Sequence, residues 1–387
     1  MTNLQEGIWM SKKGQVTFDT VSEFLRGELS RMEAATLLQA SERTISRIAR
    51  RIEKNGIMGV VHGNRGRAPV NKSPDLLKGS VMKLMCERYF DFNLTHARQM
   101  LNKEHGLSIP YESLRRWCHE KGLVKRSKRR QPRARYRRVR MPNEGLLLQL
   151  DGSPHRYNGK DEWCLIGAID DASSDFVYGE FFHSEDTLSC LRVLQRIIEL
   201  KGIPHALYVD QAGCLGGSKR AHFSHFLRAC EILGIRLIKA SSAEAKGRIE
   251  RAWGTIQDRL PPELRLRNIR SMPAANYYLQ TQFLPNYWRT ELTVPPRSLE
   301  SRYRELPKDT DLREILCMKE FRSVKRDHTL SWQGQTYSLE SPLRHSIWGQ
   351  KIEIRTYQDL SWQAFFAGRP ISLTPVETMP TLQLAAS

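Results

Sequence analysis

The chain has 387 residues, 40% of them hydrophobic, with a formal net charge of +19 and a pI near 9.8. That length predicts two to four domains with real cores, and the basic excess marks a nucleic-acid partner. No run of about 18 apolar residues occurs, which argues against a bilayer-spanning helix, and Met1–Glu6 lacks the basic-then-apolar start of a signal peptide. The seven cysteines are scattered, odd in number and free of any CxxC spacing, so free thiols in a reducing cytoplasm are expected.

Residues 18–60 predict helices, within a first domain over 1–62. Ala34, Leu37 and Leu38 share one helical face, Ser41 is a natural N-cap, and Ile45, Ile48 and Ile52 form the inner stripe of the next helix. Arg43, Thr44, Ser46, Arg47, Arg50 and Arg51 then face outward, which predicts a helix-turn-helix with a basic recognition helix. The Gly-, Pro- and Arg-rich stretch 63–76 reads as a linker, either plainly solvated or an arm for a minor groove.

A second helix-turn-helix-like domain is predicted over 77–124. Gly106 suits a helix end and Pro110 a first turn, and Arg115 and Arg116 are its DNA-contact candidates. His96, His105, Cys118 and His119 have no finger-like spacing, so zinc is not expected there. The linker 125–143 comes next. Its stretch from Lys125 to Arg140 holds no acid, and Arg129, Arg130, Arg133, Arg135, Arg137 and Arg138 predict a strap along phosphates.

Residues 144–290 predict an α/β core. Strands are expected at 146–151, 163–169, 176–183, 205–210 and 235–239, and helices at 186–201, 218–233 and 245–259. Three strands in a meander, then alternating helices and strands, are the order of a ribonuclease-H-like fold. Segment 291–319 reads as a connection. Residues 320–375 alternate apolar and polar around turn signals at Gln333-Gly334 and Ala367-Gly368, which predicts a small β-barrel, with a tail over 376–387.

Three acids carry the chemistry. Asp151 closes the run Leu146–Leu150, Asp210 closes Ala206–Val209, and Glu250 opens a helical stretch. Carboxylates at the ends of buried strands are costly unless they bind a cation. Two of them with a helix glutamate predict a pair of divalent ions acting on a phosphodiester. Asp170 and Asp171 read as turn residues, Trp253 as core, and His155 and His183 as structural. Lys246, one turn before Glu250, either touches the DNA end or pairs with Glu250.

Leu150-Asp151-Gly152-Ser153, Tyr208-Val209-Asp210 and Ala245-Lys246-Gly247-Arg248-Ile249-Glu250-Arg251, in that order, resemble the core of bacterial insertion-sequence transposases with the retroviral-integrase (DDE) fold. The resemblance is greatest to the ISNCY-type enzymes. It implies binding of terminal repeats in double-stranded DNA, then Mg²⁺- or Mn²⁺-dependent strand cleavage and strand transfer. It further implies Asp151, Asp210 and Glu250 as ligands of two ions, and a homodimer or higher homo-oligomer on DNA. No membrane and no small-molecule substrate is expected. A transposase-derived DNA binder without catalysis is the alternative.

Overall fold

The computed structural model describes residues 11–61, 72–124, 138–209, 220–239, 247–339 and 347–376. They form two compact units, Met1–Gly79 and Ser80–Ser387. No helix among the described residues is long and apolar enough to cross a membrane.

The first unit holds α1 (Lys12–Leu25), α2 (Arg31–Leu37) and α3 (Glu42–Asn55). Ser30 starts α2 with a capping box: its hydroxyl accepts from the Glu33 N–H, and its own N–H donates to the Glu33 carboxylate at 2.7 Å. Ser41 caps α3 by accepting from the Thr44 N–H. Val21, Ala34, Ala35, Ile45, Ala49 and Ile52 close the core, with Ile48 and Leu38 packed against it. Leu37, grouped with Ala34 and Leu38 on one helical face, is 62% exposed. Two adjacent alanines, not a leucine stripe, form the inner face of α2, and that turns position 37 outward.

The helix α4 (Asp75–Glu87) crosses the division between the units. In the second unit it leads to α5 (Leu94–His105) and α6 (Tyr111–Glu120). Asn93 caps α5, and Gly106 ends it in the left-handed conformation at φ 66°, as a helix C-terminus favours.

The core sheet runs β3-β2-β1-β4-β5, with β1 (Leu148–His155), β2 (Trp163–Asp170), β3 (Phe176–Phe182), β4 (Ala206–Val209) and β5 (Arg236–Lys239). The first three strands pair antiparallel; β1 with β4 and β4 with β5 pair parallel. The meander of β1 to β3, followed by β4 and β5 separated by helices, matches the element order read from the sequence. Between the strands come α7 (Thr187–Lys201) and α8 (Arg220–Ile232), and after them α9 (Gly247–Leu266). Alternation along the strands sorts the two faces. Leu148, Leu150, Ile166 and Ala168 pack on α7 and α8, whereas Leu165, Ile169, Phe176 and Phe181 pack on α9 and the helical segment C-terminal to it. Every residue of β2 is buried, as a central strand covered on both faces must be.

After α9 come α10 (Met272–Tyr278), a π-helix over Leu279–Trp288 and the short α11 (Arg289–Glu291). The C-terminal part begins with α12 (Leu312–Ile315) and β6 (Met318–Ser323). It continues with β7 (Thr329–Trp332), β8 (Gln335–Leu339), β9 (Lys351–Thr356), β10 (Trp362–Phe366), β11 (Arg369–Ile371) and β12 (Leu373–Pro375). Both expected turns are two-residue hairpin turns with positive φ at each position: 47° and 79° at Gln333-Gly334, and 49° and 79° at Ala367-Gly368. Among the described residues these strands do not close the expected barrel. They form two sheets, β11-β10-β9-β6 and β12-β8-β7, around a shared core of Leu330, Trp332, Ile352, Ile354 and Ala364. Strands of three to six residues here pair in two separate groups, so the edges stay open.

Candidate active site

Three residues of β1 face α9. Strand alternation places Gln149, Asp151 and Ser153 on one side, and helical periodicity places Ile249, Trp253 and Gln257 on one stripe. They meet in pairs. Gln149 Oε1 accepts from the Ile249 N–H at 3.2 Å. Asp151 Oδ2 accepts from Trp253 Nε1 at 3.2 Å. Ser153 Oγ accepts from Gln257 Nε2 at 2.8 Å. Two residues of strand advance roughly 6.6–6.8 Å and four residues of helix roughly 6 Å, so the steps match closely enough for three rungs. Asp151 is the middle rung.

Asp151 does not end its strand: β1 runs on to His155 and pairs Asp151 with Gly167. Among the described residues the parallel partner β4 matches Leu148 and Gln149, while β2 pairs along the whole of β1. Asp151, in mid-strand, is half-buried. Gly167 in turn faces Gly179, and a Cβ on either would meet the Phe176 ring. That ring also packs edge-on against Trp253 at 5.4 Å. Trp253 is therefore core, as expected, and also a hydrogen-bond donor to Asp151. Glu250, next to Ile249 and one turn before Trp253, is exposed. The helix that bears it packs on the face of the sheet that carries Asp151. Asp210 and Lys246 lie outside the described residues, although Val209, the residue before Asp210, ends β4. Among the described residues no group of three or more His, Cys, Asp or Glu is arranged to hold a metal.

The two turn aspartates differ. Asp170 closes the β2–β3 turn, accepting from the Ala172 N–H at 2.8 Å, the Ser173 N–H at 3.1 Å and the Gly145 N–H at 2.8 Å. Burial raises its pKa against the pull of those donors. Asp171, fully buried, does more than the turn role expected of it. It accepts from Arg138, from Arg248 at 2.6 Å, from Gln149 Nε2 at 3.0 Å and from the Met141 N–H at 2.9 Å. Burial lowers the Arg248 pKa, and Asp171 opposes that shift.

One neighbour of the site was not legible in the sequence. A Cβ on Gly152 would run into the Glu185 carboxylate and lie 3.2 Å from Cys164 Sγ. Glu185, in the β3–α7 connection, therefore lies against the backbone next to Asp151. Only the glycine after Asp151 hinted that something approaches there. His155 packs edge-on against Tyr157 at 5.1 Å, and His183 is exposed.

The DNA-contact candidates are unequal. Arg43, Arg47 and Arg50 are exposed on α3. The Thr44 hydroxyl is hydrogen-bonded to Ser41 Oγ at 2.8 Å, and Arg51 donates to the Val61 carbonyl, so both are partly committed. On α6, Arg116 is exposed, while Arg115 pairs with Glu112 at 2.8 Å. Arg138 is held by Asp171. Arg129, Arg130, Arg133, Arg135 and Arg137 lie outside the described residues.

No family model matches the chain. Among known proteins, a Sinorhizobium fredii (strain NBRC 101917 / NGR234) protein named as transposase y4bF is 32% identical over 365 residues, spanning 91% of this chain and 78% of its own length. The chain belongs to this transposase family. A second relative, the transposase for insertion sequence IS1202 of Streptococcus pneumoniae, is 28% identical, over 82% of this chain and 76% of that protein.

Solved structures similar to this transposase-family chain include the HTLV-2 integrase catalytic core domain in complex with magnesium. It has 17% identity and a TM-score of 0.29, covering 36% of this chain and 88% of that one. A simian T-cell lymphotropic virus intasome has 18% identity and a TM-score of 0.33, covering 77% and 99%. At these scores the family assignment rests on the sequence relatives.

The predicted second helical domain is docked on α9. His96 Nε2 lies 2.9 Å from Glu263 Oε1, both buried, and Tyr278 donates to the same carboxylate. Arg265 forks onto Asp91 with two contacts of 2.7 Å, and Arg259 reaches Gln99 at 2.6 Å. The helix that carries Glu250 at its start is thus fixed at its far end by the preceding domain.

Proposed function

We propose that the chain is a DDE-type transposase: it binds the terminal repeats of an insertion sequence and catalyses Mg²⁺-dependent strand cleavage and strand transfer. The observation that carries this reading is the Trp253–Asp151 hydrogen bond, because it sets the helix bearing Glu250 against the strand bearing Asp151. Asp151 and Glu250, with Asp210 after β4, supply hard oxygen donors of the type that Mg²⁺ prefers. The donor set fits in its chemistry: Asp151 keeps a half-buried carboxylate, and Glu250 is exposed on the helix that Trp253 ties to it. When bound, a pair of such ions stabilises charge on the attacking and leaving oxygens of a phosphodiester.

The chain's own residues would orient the acids and grip the DNA. Gln149 and Trp253 hold the helix start and Asp151 in fixed relation. In cleavage, a water oxygen bonds to phosphorus and the 3′-oxygen leaves with a proton. In transfer, that 3′-hydroxyl attacks a target phosphodiester and displaces its 3′-oxygen. The α3 face with Arg43, Arg47 and Arg50, helped by Thr44 and Arg51, would read bases in a major groove, with Arg115 and Arg116 as a second contact. The segment from Lys125 to Arg140 would track phosphates, and two or more copies would pair the element ends.

The test is incubation of the full chain with end-sequence DNA, a target plasmid and Mg²⁺. Nicked ends and joined products are expected. Asp151→Asn, Asp210→Asn and Glu250→Gln should each abolish both products and leave end binding nearly intact, because each removes transition-state stabilisation and not phosphate contacts. End binding without products from the unaltered chain would support a DNA binder that lacks catalysis.

A further inference from the structure

We infer that Asp171 is a positioning residue for strand cleavage: it anchors the start of α9, and with it Glu250, to β1, and Arg138 joins the basic segment to that anchor. The inference rests on the proposed role of Glu250 and extends it to a residue outside the three acids.

A fully buried carboxylate needs charged or hydrogen-bonding partners, and Asp171 has four. The turn does not require them, since Asp170 already accepts the Ala172 and Ser173 N–H groups that close it. Two of the four lead to α9. Arg248, with its side chain 12% exposed, donates to Asp171 and stands two residues before Glu250. Gln149 donates its Nε2 to Asp171 and accepts the Ile249 N–H on Oε1.

The second link matters because the first N–H groups of a helix have no intrahelical partner. Gln149 supplies one from the neighbouring strand. Asp171 also decides which end of that amide faces α9. A carboxylate takes only the donor end, so the acceptor end is left for the Ile249 N–H. Glu250 is the next residue. Arg138, at the end of the basic segment, shares the same carboxylate, and its carbonyl accepts from Arg248 at 3.3 Å.

The test uses the full chain and Asp171→Asn. Amide hydrogen exchange is read without DNA in the peptide spanning Arg248–Arg251, and cleavage of end DNA is titrated with Mn²⁺. Exchange at Ile249 should quicken about tenfold, as loss of one supported hydrogen bond implies. The half-saturating Mn²⁺ concentration should rise about 10–100-fold and kcat should fall, as expected when a group supporting a metal ligand is lost, with KM for DNA little changed. Arg248→Lys keeps the charge without the fork. It should shift the same readouts less, and it carries the test if Asp171→Asn does not melt cooperatively. Unchanged exchange overturns the anchor. Faster exchange with unchanged Mn²⁺ dependence and kcat overturns the positioning role. If the unaltered chain never cleaves, while Asp171→Asn still frees the Ile249 amide, the anchor stands and the proposed activity falls.

Discussion

Trp253 donates its indole N–H to Asp151 Oδ2 at 3.2 Å while its ring packs on Phe176. One side chain thus joins the hydrophobic core to the Asp151 carboxylate. The two contributions can be separated. Trp253→Phe keeps an aromatic ring and deletes the donor. Cleavage should fall about 10–100-fold, the usual cost of removing a group that orients a metal ligand. The melting temperature should drop by several degrees, since one hydrogen bond to a carboxylate is worth about 1.5–3 kcal/mol. Normal cleavage by this variant would show that the indole N–H does not orient Asp151.

The exposed arginines of α3 predict sequence reading. Arg47→Ala should cost about 1–3 kcal/mol on the element's own ends and relax preference at one base position. Arg51→Ala should weaken specific binding less, because its guanidinium is tied to the Val61 carbonyl. Footprinting and competition with random duplex measure both. Equal losses on specific and random DNA would remove Arg47 from base reading.

The buried pair His96–Glu263 predicts an acid limb in stability. Burial alone would raise the Glu263 pKa, but hydrogen bonds from His96 and Tyr278 outweigh it and hold the group below its usual 4.5. A depressed folded-state pKa contributes stability above the unfolded value and loses it as pH falls through the folded one. Thermal melting from pH 6 downward should therefore show a gap between the unaltered chain and Glu263→Gln that is full above about pH 4.5 and narrows below it. Losing hydrogen bonds to a buried carboxylate should cost about 1.5–3 kcal/mol each. A gap independent of pH would mean that the carboxylate charge contributes nothing.

The basic segment predicts affinity without sequence information. Each neutralised phosphate adds about 0.9 to the slope of log affinity against log salt. Replacing Arg129, Arg130, Arg133, Arg135 and Arg137 with glutamine should flatten that slope by several units and weaken specific and random binding by similar factors. Arg138 is left intact because Asp171 holds it. An unchanged slope would mean that these arginines do not touch DNA.

Much of the core was legible because its signals are local. Apolar runs bounded by turn residues marked β1 to β5 within a few residues, and Ser41 marked the start of α3. The failures came from partners distant in the chain. Asp151-Gly152-Ser153-Pro154 reads as a strand end, yet pairing with Gly167 to Cys164 carries β1 through it. Asp171 reads as a turn residue because Arg248 lies 77 positions away. His96 and Glu263, 167 positions apart, weld the second helical domain to α9, and no periodicity announces that. β6 escapes a sequence reading because Met318–Ser323 mixes charge and apolar residues, and β11 and β12 because each carries a proline.

The three rungs between β1 and α9 also restrict where the chain can change length. A residue inserted between Gln149 and Ser153 would turn the later strand side chains away from the helix, since strand faces alternate. One inserted between Ile249 and Gln257 would rotate the later helix positions off the stripe by roughly a quarter turn. Neither interval can lengthen without the other rungs parting. Tags, reporters or added loops are better placed at Gly159-Lys160, in an exposed turn between β1 and β2 whose extension leaves both intervals untouched.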